Sequence, residues 1–144
     1  MERQALNIST DKAALDIPLI HRFLSERSTW AVGMPLAMLE KAIANSLCFG
    51  GYQEDGGQIA FARVITDGAT FANLVDVFVL PEHRGLGHSK RLVAAIMAHP
   101  ELQGLRRFTL ATGDAHGLYA QFGFAPPQRP QTLMERYFPD LYVK

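Results

Sequence analysis

The sequence predicts a mixed α/β (α+β) domain with a single central sheet, and three observations carry that reading. Short apolar runs separated by tight glycine-containing turns fill residues 47–80, the pattern of an antiparallel meander. The stretch from Phe71 to Thr112 then runs strand, glycine loop, helix, strand, which is the order of a parallel crossover unit. Helical periodicity between residues 11 and 47 precedes both. About four helices are expected to flank the sheet.

Bulk properties narrow the function classes. The 144 residues fit one domain, 1–144, with little room for a second core. At 48 % hydrophobic and 19 % charged residues the chain is not expected to be disordered. Lys plus Arg number 14, as do Asp plus Glu, so nothing favours sequence-independent binding to nucleic acid. Cys48 is the single cysteine; it allows no intramolecular disulfide and fits a reducing compartment. The opening MERQALNISTDK lacks the apolar core of a signal peptide. No run approaches the roughly 18 apolar residues of a membrane helix. A cytoplasmic location without a membrane partner is the expectation. No Cys/His cluster has metal-ligand spacing, so no metal is expected.

Each element has a local cause. Gln4–Ile8 is read as a first strand. Leu15, Leu19, Phe23 and Leu24 share a helical face, and Pro18 belongs in the first turn of a helix starting near Ile17. Residues 30–34 read as a loop. Pro35 opens a helix with Leu36, Leu39, Ile43 and Leu47 on one face. Strands follow at Leu47–Gln53, Gln58–Ile65 and Phe71–Leu80, joined by the turns EDGG and TDGA. A helix to about residue 98 buries Leu92, Val93, Ile96 and Met97. Arg107–Thr112 is a further strand, and Asp114 is placed to cap a short helix running to Gln121. Leu133–Tyr137 is the expected last strand.

The segment VDVFVLPEHRGLGHSKRL places a strand directly before glycines and a helix directly after. A helix N-terminus offers unpaired N–H groups and positive partial charge. Gly85 and Gly87 admit close approach of a ligand to the backbone, and Arg84, Ser89 and Lys90 add donors. The arrangement suits a phosphate or pyrophosphate; a glycine turn with no ligand is the alternative on local grounds. No GxxxxGK[ST] run exists. In the dinucleotide fingerprint GxGxxG, Lys90 stands where the third glycine belongs.

This segment resembles motif A of the GNAT superfamily, [RQ]-x-x-G-x-[GA] after a strand ending in V-x-P-x-x-R-G. Val79, Pro81, Arg84, Gly85 and Gly87 match, and Ser89 departs from the Gly or Ala of the pattern. DAHGLYAQFGFAPP resembles motif B, which ends in L-Y-x-x-x-G-F, through Leu118, Tyr119, Gly123 and Phe124. Thr112 stands where many members carry Asn, and His116 where an aliphatic residue is usual. The two motifs cover the C-terminal half, separated by one helix and one strand as in the family. The N-terminal half is similar only in its order of elements.

The resemblance implies a GNAT-like fold and direct transfer of an acetyl group from acetyl-CoA, as co-substrate, to a primary amine. It assigns the phosphates to the backbone of Arg84, Gly85, Leu86, Gly87, His88 and Ser89, with Thr112 and Tyr119 also near the cofactor. Val77, Phe78 and Val79 would border the pantetheine arm, and an N–H near Phe78 would receive the thioester oxygen. Tyr119 is the candidate general acid for the leaving thiolate. Asp76 interrupts an apolar strand, where a carboxylate is costly unless it faces a cleft or a partner. It is a candidate base or ammonium holder, with a salt bridge to Arg63 as the alternative. His116, three residues before Tyr119, is expected on the same helix face and is the second candidate base. His83 and His88 are expected in solvent, and Cys48 in inert core. Trp30 is the candidate lid or anchor of the acceptor pocket. A small-molecule amine is the leading acceptor. A protein N-terminus or lysine, or a non-catalytic CoA-binding sensor, are the other readings. The sequence leaves a homodimer open.

Overall fold

Five strands form one sheet in chain order: β1 (Asn7–Ser9), β2 (Leu47–Tyr52), β3 (Gln58–Thr66), β4 (Phe71–Val79) and β5 (Arg107–Leu110). They belong to a computed structural model that describes residues 5–143. Neighbours from β1 to β4 are antiparallel, and β4 and β5 are parallel. The sheet is therefore mixed, as the sequence predicts. The helices are α1 (Ile17–Arg22), α2 (Leu36–Ala44), α3 (His88–Ala98) and α4 (His116–Ala120). A π-helical turn at Phe23–Arg27 extends α1.

Pro18 sits in the first turn of α1, where its missing N–H has no partner to lose. The Asp16 carboxylate caps that helix through the Leu19 N–H at 3.2 Å. Alternation along the strands then feeds two cores. Cys48, Ile59, Phe61 and Phe78 pack with Ile20, Phe23, Leu24, Leu39 and Ile43 of the α1–α2 layer. Phe49, Ala60, Ala62, Val64 and Leu74 pack with Leu92, Val93 and Ile96 of α3 on the other face.

Alternation fails in β4. Leu74 lies in the α3 core but Phe78 lies in the α1–α2 core, although an even spacing keeps residues on one face of a regular strand. The pairing with β3 steps from Arg63↔Val75 to Phe61↔Phe78, so Asp76 and Val77 together oppose Ala62. Asp76 absorbs the extra residue at φ 54°, the one left-handed non-glycine among the described residues. This is a β-bulge.

The parallel pairing with β5 runs only from Phe71↔Arg107 to Leu74↔Leu110. Beyond Leu74, β4 continues to Val79 without a neighbour on that side. The sheet opens into a wedge there, and the glycine loop starts at its end.

Three expectations are corrected. Residues 133–137 form no strand and are exposed, and none of the described strands pairs with them. The first strand begins at Asn7, and Gln4 lies outside the described residues. Asp114 does not cap α4. The Thr112 hydroxyl accepts from the Ala115 N–H at 3.0 Å instead, because the turn places residue 112 opposite the helix start. No helix among the described residues is long and apolar enough to cross a membrane.

The β3–β4 turn is held by one carboxylate. Asp67 accepts from the Thr70 hydroxyl and from the N–H groups of Ala69, Thr70 and Phe71. The Thr70 hydroxyl first, then these backbone amides, hold its pKa well below the usual carboxylate range. A depressed folded-state pKa gives stability that is present above the unfolded value and lost as pH falls. Asp67→Ala is expected to lower Tm at neutral pH and to flatten the decline of Tm below about pH 4. Thermal melts of both proteins from acid to neutral pH check this.

Candidate functional site

The loop after β4 has the geometry of an anion cradle. A 3-10 turn at Pro81–His83 redirects the chain, and Gly85 and Gly87 take φ of 80° and 82°. Left-handed residues that alternate with ordinary ones turn successive N–H groups toward one concavity. Gly87 is the N-cap of α3, and no side chain caps that helix, so its first amides stay open to a ligand. A Cβ at Gly85 would meet nothing within 4 Å; the space above the turn is clear.

Two arginines hold the loop from behind. Arg84 Nε donates to the Val79 carbonyl at 2.9 Å, tying the loop to the end of β4. Arg91 Nη1 donates to the Leu86 carbonyl at 2.9 Å, which turns that oxygen away from an incoming anion. Arg91 went unnoticed in the sequence. Its signal was a cation one helical turn after Gly87, where it can reach back over the loop. Ser89 is half-buried and Lys90 exposed at the start of α3.

His88 differs from expectation. It is 2 % exposed, and its Nε2 has no hydrogen-bond partner. Its Nδ1 lies 3.1 Å from Arg91 Nη1. Burial first, then Arg91 and His83, lower its pKa from 6.5 and keep the ring neutral. The first position of α3 turns its side chain inward, which a motif match alone does not show. His83 is half-buried, with Gln53 Nε2 at 3.5 Å.

In the wedge, the Leu80 N–H bonds to the Ile59 carbonyl at 2.8 Å. Alternation directs the Phe78 amide toward β3 as well. The backbone of Val79 therefore faces the wedge, and its carbonyl is the one Arg84 takes. The amide expected near Phe78 is thus that of Val79. The side chains of Phe78 and Val79 are buried, and Val77 is half-buried. Phe78 stacks on Phe23 with ring centroids 4.0 Å apart.

The bulge brings Asp76, Trp30 and Arg63 together. Asp76 is buried and bonds on both oxygens: Arg63 Nε donates to Oδ2 at 2.9 Å and Trp30 Nε1 to Oδ1 at 2.9 Å. Arg63 Nη1 also donates to the Ser46 hydroxyl at 3.0 Å. The salt bridge considered for Asp76 therefore exists. Trp30 is 51 % exposed while its indole N–H is fixed on Asp76, so one edge is anchored and the ring faces solvent.

Tyr119 is buried at the edge of the α3 core, with its ring edge-on to Phe124. Burial first, then the Asp114 carboxylate, raise its pKa and keep the phenol protonated. His116 is exposed at the first position of α4. His116 and Tyr119 both lie in α4, three residues apart as expected, with Tyr119 buried and His116 exposed. Thr112 is half-buried and engaged in its turn. Burial pushes the Cys48 thiol up to about 11, so it is a poor nucleophile. A surface groove of about 600 Å³ between α1 and α2, lined by Pro18, His21, Arg22, Leu36 and Glu40, shares no residue with the wedge or the loop. Among the described residues no cluster of His, Cys, Asp or Glu is placed to hold a metal ion.

The Arg63–Asp76 pair yields a stability test. Arg63→Met leaves a buried carboxylate without its cation and is expected to cost about 3–5 kcal/mol. Adding Asp76→Asn removes the charge, keeps a residue tolerant of the left-handed backbone, and is expected to recover part of that loss. Denaturant unfolding of the two single variants and the double variant measures the coupling.

Similarity to known proteins agrees with this geometry. Residues 45–126 match the acetyltransferase (GNAT) domain family. A candidate acetyltransferase of Gibberella zeae is 34 % identical over 135 residues, which cover 79 % of this chain and 75 % of that protein. The crystal structure of a candidate GNAT-family acetyltransferase from Xanthomonas campestris pv. campestris superposes with a TM-score of 0.96 at 62 % identity, covering 99 % of this chain and 100 % of that one. A Mycobacterium tuberculosis protein solved in complex with CoA shares the fold at a TM-score of 0.67 and 16 % identity, over 83 % of this chain and 71 % of that one. By sequence and by fold, the chain belongs to the GNAT family of acetyltransferases, whose members use acetyl-CoA.

Proposed function

We propose that this protein transfers an acetyl group from acetyl-CoA to the primary amine of a small molecule. The observation that carries the reading is the continuity of three features. The uncapped N-terminus of α3 adjoins the glycine loop, the loop adjoins the open wedge of β4, and the bulge in β4 presents Asp76 beneath Trp30. Acetyl-CoA held along that path supplies an activated acyl group and a thiol leaving group.

The residues divide the work. The amides from Gly85 to Ser89 bind the phosphates, with the helix dipole adding favourable charge. Arg84 and Arg91 fix the loop through its carbonyls. The Val79 N–H faces the wedge and is the donor for developing negative charge on the carbonyl oxygen. Tyr119 Oη delivers the proton to the leaving sulfur; burial and the Asp114 carboxylate keep the phenol in its protonated form. Asp76 is tied to Arg63 and to the Trp30 indole. It holds the acceptor ammonium with its remaining lone pairs, and the amine proton leaves to water or to the exposed His116. The half-exposed Trp30 ring supports a small acceptor as its stacking surface.

Turnover of acetyl-CoA against a panel of small amines, N-terminal peptides and lysine peptides tests the acceptor class. Small amines are expected to be the best acceptors. Binding of acetyl-CoA without turnover of any amine would instead identify a sensor. Gly87→Asp is expected to abolish thermal stabilisation by acetyl-CoA, because it adds bulk and negative charge at the cradle; an unchanged shift would sink the phosphate assignment. Tyr119→Phe is expected to lower kcat by about 10²- to 10⁴-fold while leaving the acetyl-CoA Kd nearly unchanged. Wild-type turnover in that variant removes Tyr119 from the mechanism.

A further inference from the structure

The ion pair beneath Trp30 is joined by one arm of the arginine. An arginine and a carboxylate frequently meet side-on, through two parallel N–H···O bonds. Arg63 instead reaches Asp76 through Nε, which donates to Oδ2 at 2.9 Å. Its Nη1 turns to the Ser46 hydroxyl at 3.0 Å. The second carboxylate oxygen, Oδ1, receives the Trp30 indole N–H at 2.9 Å.

Ser46 is fixed to hold that arm. It lies between α2 and β2 and is buried. Its hydroxyl proton goes to the Ala42 carbonyl, in the last turn of α2, at 2.7 Å. With that proton committed, the Ser46 oxygen serves Arg63 as an acceptor. The guanidinium is planar and rigid, so anchoring Nη1 sets the plane in which Nε meets Asp76. The Arg63 and Asp76 side chains are 13 % and 7 % exposed, so little water competes for these bonds.

The lone pairs of Asp76 are what this arrangement preserves. An ionised carboxylate offers about four lone-pair sites. Arg63 and Trp30 take one on each oxygen, and one on each stays open. A side-on Arg63 would take a further site on Oδ1, in competition with the indole N–H and with an incoming ammonium.

We propose that Ser46 is a positioning residue for the acceptor amine. By drawing Nη1 of Arg63 away, it keeps the ion pair one-armed and Asp76 open. This role rests on the reading of Asp76 as the holder of the acceptor ammonium, and its first test does not require an acceptor.

Trp30 is the single tryptophan, so one indole N–H resonance reports the contact with Oδ1. In Ser46→Ala that resonance is expected to move upfield, and its proton to exchange at least about threefold faster, because Arg63 swings side-on. With benzylamine as the acceptor probe, KM is expected to rise about tenfold, the scale of a lost hydrogen bond to a charged group. At saturating benzylamine, kcat is expected to change by less than about twofold. Ser46→Thr keeps the hydroxyl and is expected to return both the resonance and KM to wild type. A wild-type thermal shift with acetyl-CoA shows that each variant is folded. A merely structural serine predicts a lower Tm with the indole signal in place. An unmoved indole resonance in Ser46→Ala therefore overturns the proposal, whether or not benzylamine is acetylated. Asp76→Asn separates the two readings. A raised KM in Asp76→Asn beside a wild-type KM in Ser46→Ala overturns the role of Ser46 alone. A wild-type KM in Asp76→Asn overturns the ammonium reading and the role of Ser46 with it.

Discussion

The single extra residue in β4 sets the arrangement of everything around the candidate site. Without a bulge, Leu74, Asp76 and Phe78 would face one side together. The carboxylate would then enter the apolar α3 layer, away from Arg63 and Trp30. The bulge turns Asp76 and Phe78 to the opposite face, where Phe78 stacks on Phe23 and Asp76 finds two donors. A left-handed conformation at a non-glycine residue costs about 1–2 kcal/mol. Two charge-assisted hydrogen bonds offset that cost and fix the strand where it leaves the sheet.

The same three residues connect layers that the sheet alone would not. Trp30 belongs to the loop between α1 and α2, Asp76 to β4 and Arg63 to β3. Ser46, just before β2, extends the chain of hydrogen bonds. The candidate acceptor side and the core therefore share one polar network. Substitution at any member changes stability and site geometry at once, and kinetic effects there need a folding measurement beside them.

Much of this was legible in the sequence because the signals were local. Pro18 and Pro35 marked helix starts, tight turns bounded the meander, and the glycine loop announced the uncapped helix. Asp76 stood out as a carboxylate within LVDVFV. The bulge itself was not legible, because it is a relation between two strands: β4 carries two residues where β3 carries one. Arg91 was missed because its partner is a backbone carbonyl five positions earlier, and carbonyls leave no mark in a sequence. The expected strand at 133–137 failed for a similar reason. Apolar and aromatic residues make a segment able to pair, but only a neighbour makes it a strand.

His88 has a consequence for acid conditions. Its ring is neutral and enclosed beneath the turn from which α3 starts. Its folded-state pKa lies below the unfolded 6.5, so the unfolded chain takes up the proton first. The stability that depends on the neutral ring is present above that value and declines as pH falls through it. Near neutrality the ring beneath the helix start is thus uncharged, and the open amides of the loop and helix start face an anion. In acid, proton uptake works against the enclosed ring and loosens the helix start that would grip a phosphate. Enclosure at this one position couples the local rigidity of the turn to proton concentration.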